Sequence, residues 1–186
     1  MHQSVVVSGF GGQGALFAGQ VLTYAAMDCG HQVTWIPSYG PEMRGGVARC
    51  TVIISDSEIG SPIVRNPDVA IVFNNPSMEK FQRELKTGGV LVVNSSMVNV
   101  PVDRHDIRVF HVPGNAIARE LGDVRMTNMV LLGAMIAVRP IVEREALEQA
   151  LRAHLPESKQ HLIGPNIEAV RRGYREAIEL SAAEAC

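Results

Sequence analysis

The feature that most constrains the fold of this chain is a glycine-rich turn, GFGGQG, at residues 9–14. A run of valines at residues 5–7 precedes the turn and predicts a strand. Apolar residues repeat at helical spacing after the turn until Gly30 ends the helix, and residues 32–36 predict a second strand. This order is that of a βαβ unit, whose right-handed crossover builds parallel sheet.

The rest of the chain continues the alternation of strands and helices. Strands are predicted at residues 47–55, 69–73, 90–94 and 107–112, and turn residues at 56–62 predict a hairpin at the edge of the sheet. A helix capped by Asn75 is predicted to end at Gly88-Gly89, and others at 115–121, 127–138, 142–155 and 165–185. We therefore predict an α/β fold: a mostly parallel Rossmann-like sheet with helices on both faces and an antiparallel edge hairpin. Residues 1–186 are expected to form a single domain.

The helix predicted at residues 127–138 is apolar on nearly every side. Such a helix is expected to be buried, either against the sheet or against a partner subunit. Asn128 is its polar exception. A buried amide needs hydrogen-bond partners, which for Asn128 can be nearby backbone, a partner subunit or a ligand.

Gly9, Gly11 and Gly14 have the GxGxxG spacing, and Gly12 adds a further glycine. Glycines let the backbone turn tightly and approach a ligand, while the unpaired N–H groups and the helix dipole favour an anion. Gln13 can either donate its amide to a phosphate or cap the turn. The alternative interpretation is that these glycines only let the helix pack closely on the strand.

A nicotinamide dinucleotide site also needs an acidic residue at the end of the second strand, where it binds the ribose hydroxyls. The second strand ends instead in Trp35-Ile36-Pro37-Ser38-Tyr39. Because that carboxylate is missing, the sequence argues against NAD and favours a different phosphate-bearing ligand.

The segment PSYGPEMRGG at residues 37–46 is rich in proline and glycine and predicts an irregular loop that overhangs the glycine turn. Arg44 in this loop can clamp a phosphate or a partner's carboxylate, or it can pair internally with Glu42. Tyr39 can stack on a base or fill the core. The candidate ligand-binding residues are therefore Gly9, Gly11, Gly12, Gln13, Gly14, Ser38, Tyr39, Arg44 and Gly45.

Composition and motifs argue against several other functions. The formal net charge is −2 and the sequence has no lysine or arginine run, so nucleic acid is not an expected partner. No apolar stretch is long enough to cross a membrane, and a cytoplasmic location is expected. Cys29, Cys50 and Cys186 form no CxxC pair, so neither a metal site nor an iron–sulfur cluster is predicted. No catalytic residue is assigned, because the sequence shows no nucleophile or paired-carboxylate arrangement.

Several segments, taken together and in this order, resemble the γ subunit of 2-oxoacid:ferredoxin oxidoreductases, the pyruvate/ketoisovalerate oxidoreductase family. They are GFGGQG at 9–14, SYGPEMRGG at 38–46, IGSPIV at 59–64, NMVLLGA at 128–134 and NIEAVRRGY at 166–174. The loop segment is more similar to the 2-oxoglutarate and 2-oxoisovalerate members than to the pyruvate members. The small subunit of indolepyruvate oxidoreductase is a close relative of the same family.

The resemblance implies a heteromeric enzyme that oxidatively decarboxylates a 2-oxoacid, yields an acyl-CoA and passes electrons to ferredoxin. It also implies that thiamine diphosphate and the iron–sulfur clusters belong to partner α, β and δ subunits, while this chain contributes coenzyme A binding and subunit contacts. We therefore expect the isolated chain to be inactive and to self-associate through its docking surface. Two alternatives stay open, a non-catalytic assembly scaffold and a standalone nucleotide-binding regulator.

Overall fold

A computed structural model describes residues 1–38 and 47–184 of the chain. Within these residues the sheet has six strands in the order β2-β3-β1-β4-β5-β6. The strands are β1 His2–Phe10, β2 Gln32–Ser38, β3 Val47–Ser55, β4 Val69–Val72, β5 Val90–Asn94 and β6 Arg108–Val112. β1, β4, β5 and β6 pair in parallel, whereas β3 is antiparallel to both of its neighbours, β1 and β2.

The helices follow the strands in the order that the sequence predicts. They are α1 Ala15–Asp28, α2 Asn75–Glu84, α3 Gly114–Glu120, α4 Thr127–Val138, α5 Arg144–His154 and α6 Ile163–Glu184. The cap of α2 differs from the prediction by one residue: the side chain of Asn74 accepts a hydrogen bond from the amide of Ser77 at 2.9 Å. A short 3-10 turn, Val124–Met126, leads directly into α4.

The predicted fold class is confirmed, and the position of one strand is corrected. β2 and β3 form the antiparallel pair at the edge of the sheet, but β3 itself lies inside the sheet, between β2 and β1. Residues 56–62 contain no strand, so the hairpin is formed by β2 and β3 and not by β3 and the segment after it. β1 and β2 still run in the same direction, as the βαβ prediction requires, with β3 inserted between them.

Both faces of the sheet carry apolar side chains, because successive residues of a strand point to opposite sides. Val5 and Val7 of β1 belong to the larger apolar cluster, which α1, α3, α4, α5 and α6 cover. Val6 belongs to a smaller cluster that packs against Met78 and Phe81 of α2. The helices therefore lie on both faces, with most of them on one side.

α4 is buried for most of its length by other described parts of the same chain. Its residues from Thr127 to Ile136 are all buried, and its main neighbour is α6. The two helices touch backbone to backbone: a Cβ at Gly133 would overlap the carbonyl of Val170, and a Cβ at Gly173 would overlap the carbonyl of Val130. The sequence predicted that this helix is buried either against the sheet or against a partner subunit. The structure shows it buried within the chain itself, against α6 and the sheet.

Candidate anion-binding site

The glycine turn lies at the carboxyl edge of the sheet, where β1 and its parallel neighbours β4 and β5 all end. Two hydrogen bonds close the bend. The amide of Gln13 donates to the carbonyl of Phe10 at 3.1 Å, and the amide of Phe10 donates to Gln13 Oε1 at 2.6 Å. Gln13 therefore caps the turn through its oxygen, and its Nε2 makes no hydrogen bond with another described residue.

The glycines of the turn are needed for different reasons. Gly12 and Gly14 have φ angles of 91° and 77°, a left-handed region that favours glycine. A Cβ at Gly9 would lie 2.9 Å from the Cβ of Phe73, so Gly9 is required for close packing. Neither backbone conformation nor close packing against the described residues explains the glycine at position 11. Its φ is not positive, and a Cβ there would meet nothing within 4 Å. The main chain there is therefore open to the close approach of a ligand.

The N-terminus of α1 offers unpaired main-chain donors. Gly14 is the N-cap residue, no side chain caps the helix, and the first turn carries no acidic residue. The amides of the first residues of a helix have no partner within the helix, and they add to the positive end of its dipole. Since Gly11 and Gly12 are exposed, these donors are accessible to an anion.

Asn128 links this turn to α4. Its Nδ2 donates to the carbonyl of Gly14 at 3.1 Å, and its Oδ1 accepts from the amide of Met129 at 2.9 Å. The predicted need of Asn128 for hydrogen bonds is met by the backbone on both its nitrogen and its oxygen. Asn128 is thus a positioning residue for the turn.

A cavity of about 140 Å³ opens directly beside the turn. It is lined by Gly12, Gln13, Phe73, Asn115, Val124, Arg125 and Thr127. Asn115 is held by neighbours from two elements, because its Oδ1 accepts from Asn94 Nδ2 at 2.9 Å and from Thr127 Oγ1 at 3.3 Å. The far wall of the cavity is therefore a fixed polar surface at the start of α3 and α4.

Arg125 places a positive charge at the cavity. Its Nε donates to both carboxylate oxygens of Asp123, at 3.1 and 2.9 Å, and its Nη2 lies 2.7 Å from Asp123 Oδ2. Hydrogen bonds from Arg125 lower the pKa of Asp123, and the same bonds raise the pKa of Arg125, so both groups are charged at neutral pH. Nη1 makes no hydrogen bond with a described residue, and the side chain is 80 % exposed. Arg125 can accordingly meet an anion at the turn.

The structure brings together some of the residues that the sequence predicts for the site. Gly11, Gly12, Gln13 and Gly14 form the turn, with Gly9 beneath it. Ser38 lies elsewhere: it lines a groove of about 400 Å³ with Arg49 and Lys80 on the α2 side of the sheet. Tyr39, Arg44 and Gly45 fall outside the described residues.

Sequence reasoning missed Arg125 and Thr127. They stand immediately before and at the start of an apolar helix, and no motif marks that position. The only signal was Asp123, a helix-capping residue type, followed by a basic residue in a segment that is otherwise turn-like.

The fold is that of an α/β domain of Rossmann-like type with one antiparallel strand inserted beside β1, and the glycine turn at its carboxyl edge is the candidate anion site. The family model described as pyruvate ferredoxin/flavodoxin oxidoreductase matches residues 4–176. The chain therefore belongs to this family, and the resemblance that its motifs suggested is confirmed.

Individual relatives agree with that assignment. A γ subunit of a keto/oxoacid ferredoxin oxidoreductase from Geobacter sulfurreducens has 32 % identity and a TM-score of 0.81, over 95 % of this chain and 99 % of that one. Subunit VorA of ketoisovalerate oxidoreductase from Methanothermobacter marburgensis is 35 % identical over 91 % of this chain. A 2-oxoglutarate:ferredoxin oxidoreductase from Magnetococcus marinus, whose structure holds coenzyme A, shares the fold at a TM-score of 0.86 with 24 % identity over 96 % of this chain.

The chain spans only part of two of these proteins. It covers 35 % of the length of VorA and 31 % of the Magnetococcus chain. Across residues 1–38 and 47–184, no helix is both long enough and apolar enough to cross a membrane. In the same residues, no three His, Cys, Asp or Glu side chains come together as metal ligands.

Proposed function

We propose that this chain is the γ-type subunit of a 2-oxoacid:ferredoxin oxidoreductase and that its glycine turn binds the phosphate-bearing part of coenzyme A. The whole enzyme then decarboxylates a 2-oxoacid oxidatively, forms an acyl-CoA and passes electrons to ferredoxin. Thiamine diphosphate and the iron–sulfur clusters are held by partner α, β and δ subunits, and residues 1–186 act as one cytoplasmic domain. This proposal extends the family membership to an activity and to named partners.

The single observation that carries the proposal is Gly11. Packing explains Gly9, and backbone conformation explains Gly12 and Gly14, but Gly11 has open space and an unstrained φ. Around it lie accessible main-chain donors, the start of an uncapped helix and the guanidinium of Arg125. Together they match a phosphate group better than any neutral ligand.

The topology also argues against a nicotinamide dinucleotide. In a dinucleotide fold, the second strand lies next to the first and presents a carboxylate to the ribose. Here β3 separates β1 from β2, so Ser38 at the end of β2 is two strands away from the turn. The ribose-binding position of such folds is therefore missing both in sequence and in space. Coenzyme A, which is bound in the Magnetococcus structure, has phosphates but does not need that position.

The 2-oxoacid itself is not selected by this site. The relatives include a ketoisovalerate enzyme and a 2-oxoglutarate enzyme, and the cavity beside the turn shows no group for a second carboxylate beyond Arg125. We place substrate selection in the subunits that carry thiamine diphosphate.

Calorimetric titration of the full chain tests the proposal directly. Coenzyme A is expected to bind, with an affinity that falls as salt is added, because phosphate contacts are screened by ions. NAD is expected to bind at least about tenfold more weakly, a difference of about 1.4 kcal/mol. Equal affinity for the two ligands, or no binding of coenzyme A, would contradict the proposal.

A scaffold role is the second candidate, and the α2 side of β2 and β3 favours it. We call this surface, formed by Ile36, Ser38, Arg49 and Thr51, the open sheet face. No helix of the described residues covers it, and Ile36 is 41 % exposed. An apolar and basic surface of this kind is typical of a protein interface. Self-association of the isolated chain through this face stays a prediction.

A further inference from the structure

Three cavities lie side by side along the open sheet face and form one groove, which we call the sheet groove. The first, of about 400 Å³, has Arg49 and Lys80 in its wall, and the second, of about 370 Å³, shares both residues. The third, of about 530 Å³, shares Val64 and Arg65 with the second. α2 borders the first two cavities, and residues 61–67 border the last two.

The sheet groove follows β3 and has the length of a short extended peptide. Arg49, Thr51 and Ile53 point to the same side of β3 and line the cavities in this order, from the first to the third. From Val47 to Ile53, β3 spans about 20 Å at about 3.3 Å per residue. A small ligand is enclosed on most sides, whereas this groove is open along its length. Its shape therefore fits an extended polypeptide segment of about six residues.

Positive charge dominates the walls of the sheet groove. Arg49, Arg65 and Lys80 line it, and of the described residues around the three cavities Glu84 alone is acidic. Glu84 Oε1 lies 3.9 Å from Lys80 Nζ, a long contact between exposed groups that contributes little. Arg49 and Arg65 form no ion pair with a described residue. Carboxylates of a bound segment would therefore meet cations that the described part of the chain leaves without partners.

Apolar side chains beside these cations favour a protein partner. Ile36 of β2 is exposed, and Ile63, which lines the third cavity, is 78 % exposed. Aliphatic surface next to arginine is typical of protein interfaces. In a two-fold pair of this chain, two equally basic surfaces would face each other, and like charges repel. The face therefore fits an acidic partner better than a second copy.

We propose that the sheet groove binds an extended, acidic segment of a companion subunit, with its carboxylates against Arg49, Arg65 and Lys80. This inference rests on the proposed subunit role but not on coenzyme A binding, because no residue of the groove lines the cavity beside the glycine turn. A neighbouring polypeptide is expected from the relatives as well. VorA, of which this chain covers 35 %, provides a domain of this family with a covalently attached neighbour.

Zero-length cross-linking of the assembled enzyme tests this inference. A carbodiimide joins a lysine amine to a carboxylate only where the two groups are in contact, and mass spectrometry of the product identifies both residues. Lys80 is expected to be joined to an aspartate or glutamate of a companion subunit. Lys159, which is also exposed but lies in the 3-10 turn Glu157–Leu162 outside the groove, is expected to give no such product.

Charge reversal measures how much the cations contribute to assembly. The double variant Arg65→Glu, Lys80→Glu is expected to lower co-purification of the companion subunit with this chain at least about tenfold, because like charges would then face each other. Both residues are exposed, so the fold should persist. The matched control is the double variant Arg152→Glu, Lys159→Glu, which makes the same change of charge at exposed positions outside the groove. It is expected to assemble like the wild-type chain.

The outcomes separate this inference from the proposed function. Loss of assembly in the groove variant alone, with Lys80 joined to a companion subunit, supports the inference. Lys80 that gives no product, or that is joined to a carboxylate of this chain within one copy or between two, would overturn it, and so would equal assembly of the two double variants. The groove variant is expected to bind coenzyme A as the wild-type chain does. If the wild-type chain binds no coenzyme A while the groove variant alone fails to assemble, the proposed ligand is wrong and the docking groove stands.

Discussion

Gly173→Ala is expected to lower the free energy of unfolding by about 3 kcal/mol or more, the upper range for overpacking a close contact. A Cβ at this position would overlap the carbonyl of Val130 in α4. Backbone atoms in the middle of a buried helix cannot move aside as the end of a flexible side chain can. The two helices must therefore separate, and the apolar surface between them would open.

Gly164→Ala is the matched control for this substitution. Gly164 lies in the same helix, α6, and a Cβ there would meet nothing within 4 Å. Alanine in a helix is more stable than glycine, so this variant should be neutral or gain up to about 1 kcal/mol. Urea unfolding of the two variants measures the difference. Similar stability for Gly173→Ala and Gly164→Ala would show that α4 and α6 do not pack through their backbones.

Gly12→Asp is expected to weaken coenzyme A binding about 100-fold or more, which corresponds to roughly 2.8 kcal/mol. Gly12 lines the cavity beside the turn, so the new carboxylate would occupy the position proposed for a phosphate of coenzyme A. Its negative charge would also repel the other phosphates of the ligand. The substitution also strains the backbone, since φ is 91°. The binding effect must therefore be separated from the strain.

Gly30→Asp and Gly12→Ala make that separation. Gly30 has a φ of 85° and open space, so aspartate there has the same strain and charge but lies at the far end of α1. Gly12→Ala keeps the strain at the site without the charge. Calorimetry should show a large loss only for Gly12→Asp. If Gly12→Asp instead prevents subunit association while coenzyme A binding persists, the scaffold candidate is correct.

The local part of the fold was predictable because its signals are local. Valines at 5–7, the turn at 9–14 and the helical repeat after it lie within one stretch, and each element agrees with the observed β1, the turn and α1. The family resemblance added the motifs that span the rest of the chain.

The position of β3 was not predictable from its pattern. Arg49 and Thr51 alternate with the buried Cys50 and Val52, a pattern typical of an edge strand. Arg49 and Thr51 are polar not because β3 lies at an edge but because they point to the open sheet face. No helix of the described residues covers that face. Strand order depends on pairing between segments that are far apart in the sequence. A short alternation of polar and apolar residues does not show with which strands a given strand pairs.

The site was predicted only as far as a contiguous motif reached. The glycines and Gln13 lie within one six-residue segment, whereas Arg125 and Thr127 are more than a hundred residues away in the sequence. They reach the turn through the packing of α4, from which Asn128 also donates to the carbonyl of Gly14. Such a contact depends on α4 packing in the core. Ser38 was assigned to the site because β2 was taken as a neighbour of β1, and the inserted strand β3 removes that neighbour relation.

Nitrogen-15 NMR of the full chain titrated with coenzyme A measures most directly whether main-chain amides at the glycine turn bind an anion. We expect the largest chemical-shift changes at the amides of Gly11, Gly12, Gly14 and Ala15, with the same amides responding to pyrophosphate alone. Coenzyme A that binds while these amides keep their shifts, with the changes confined to the open sheet face, would contradict the account.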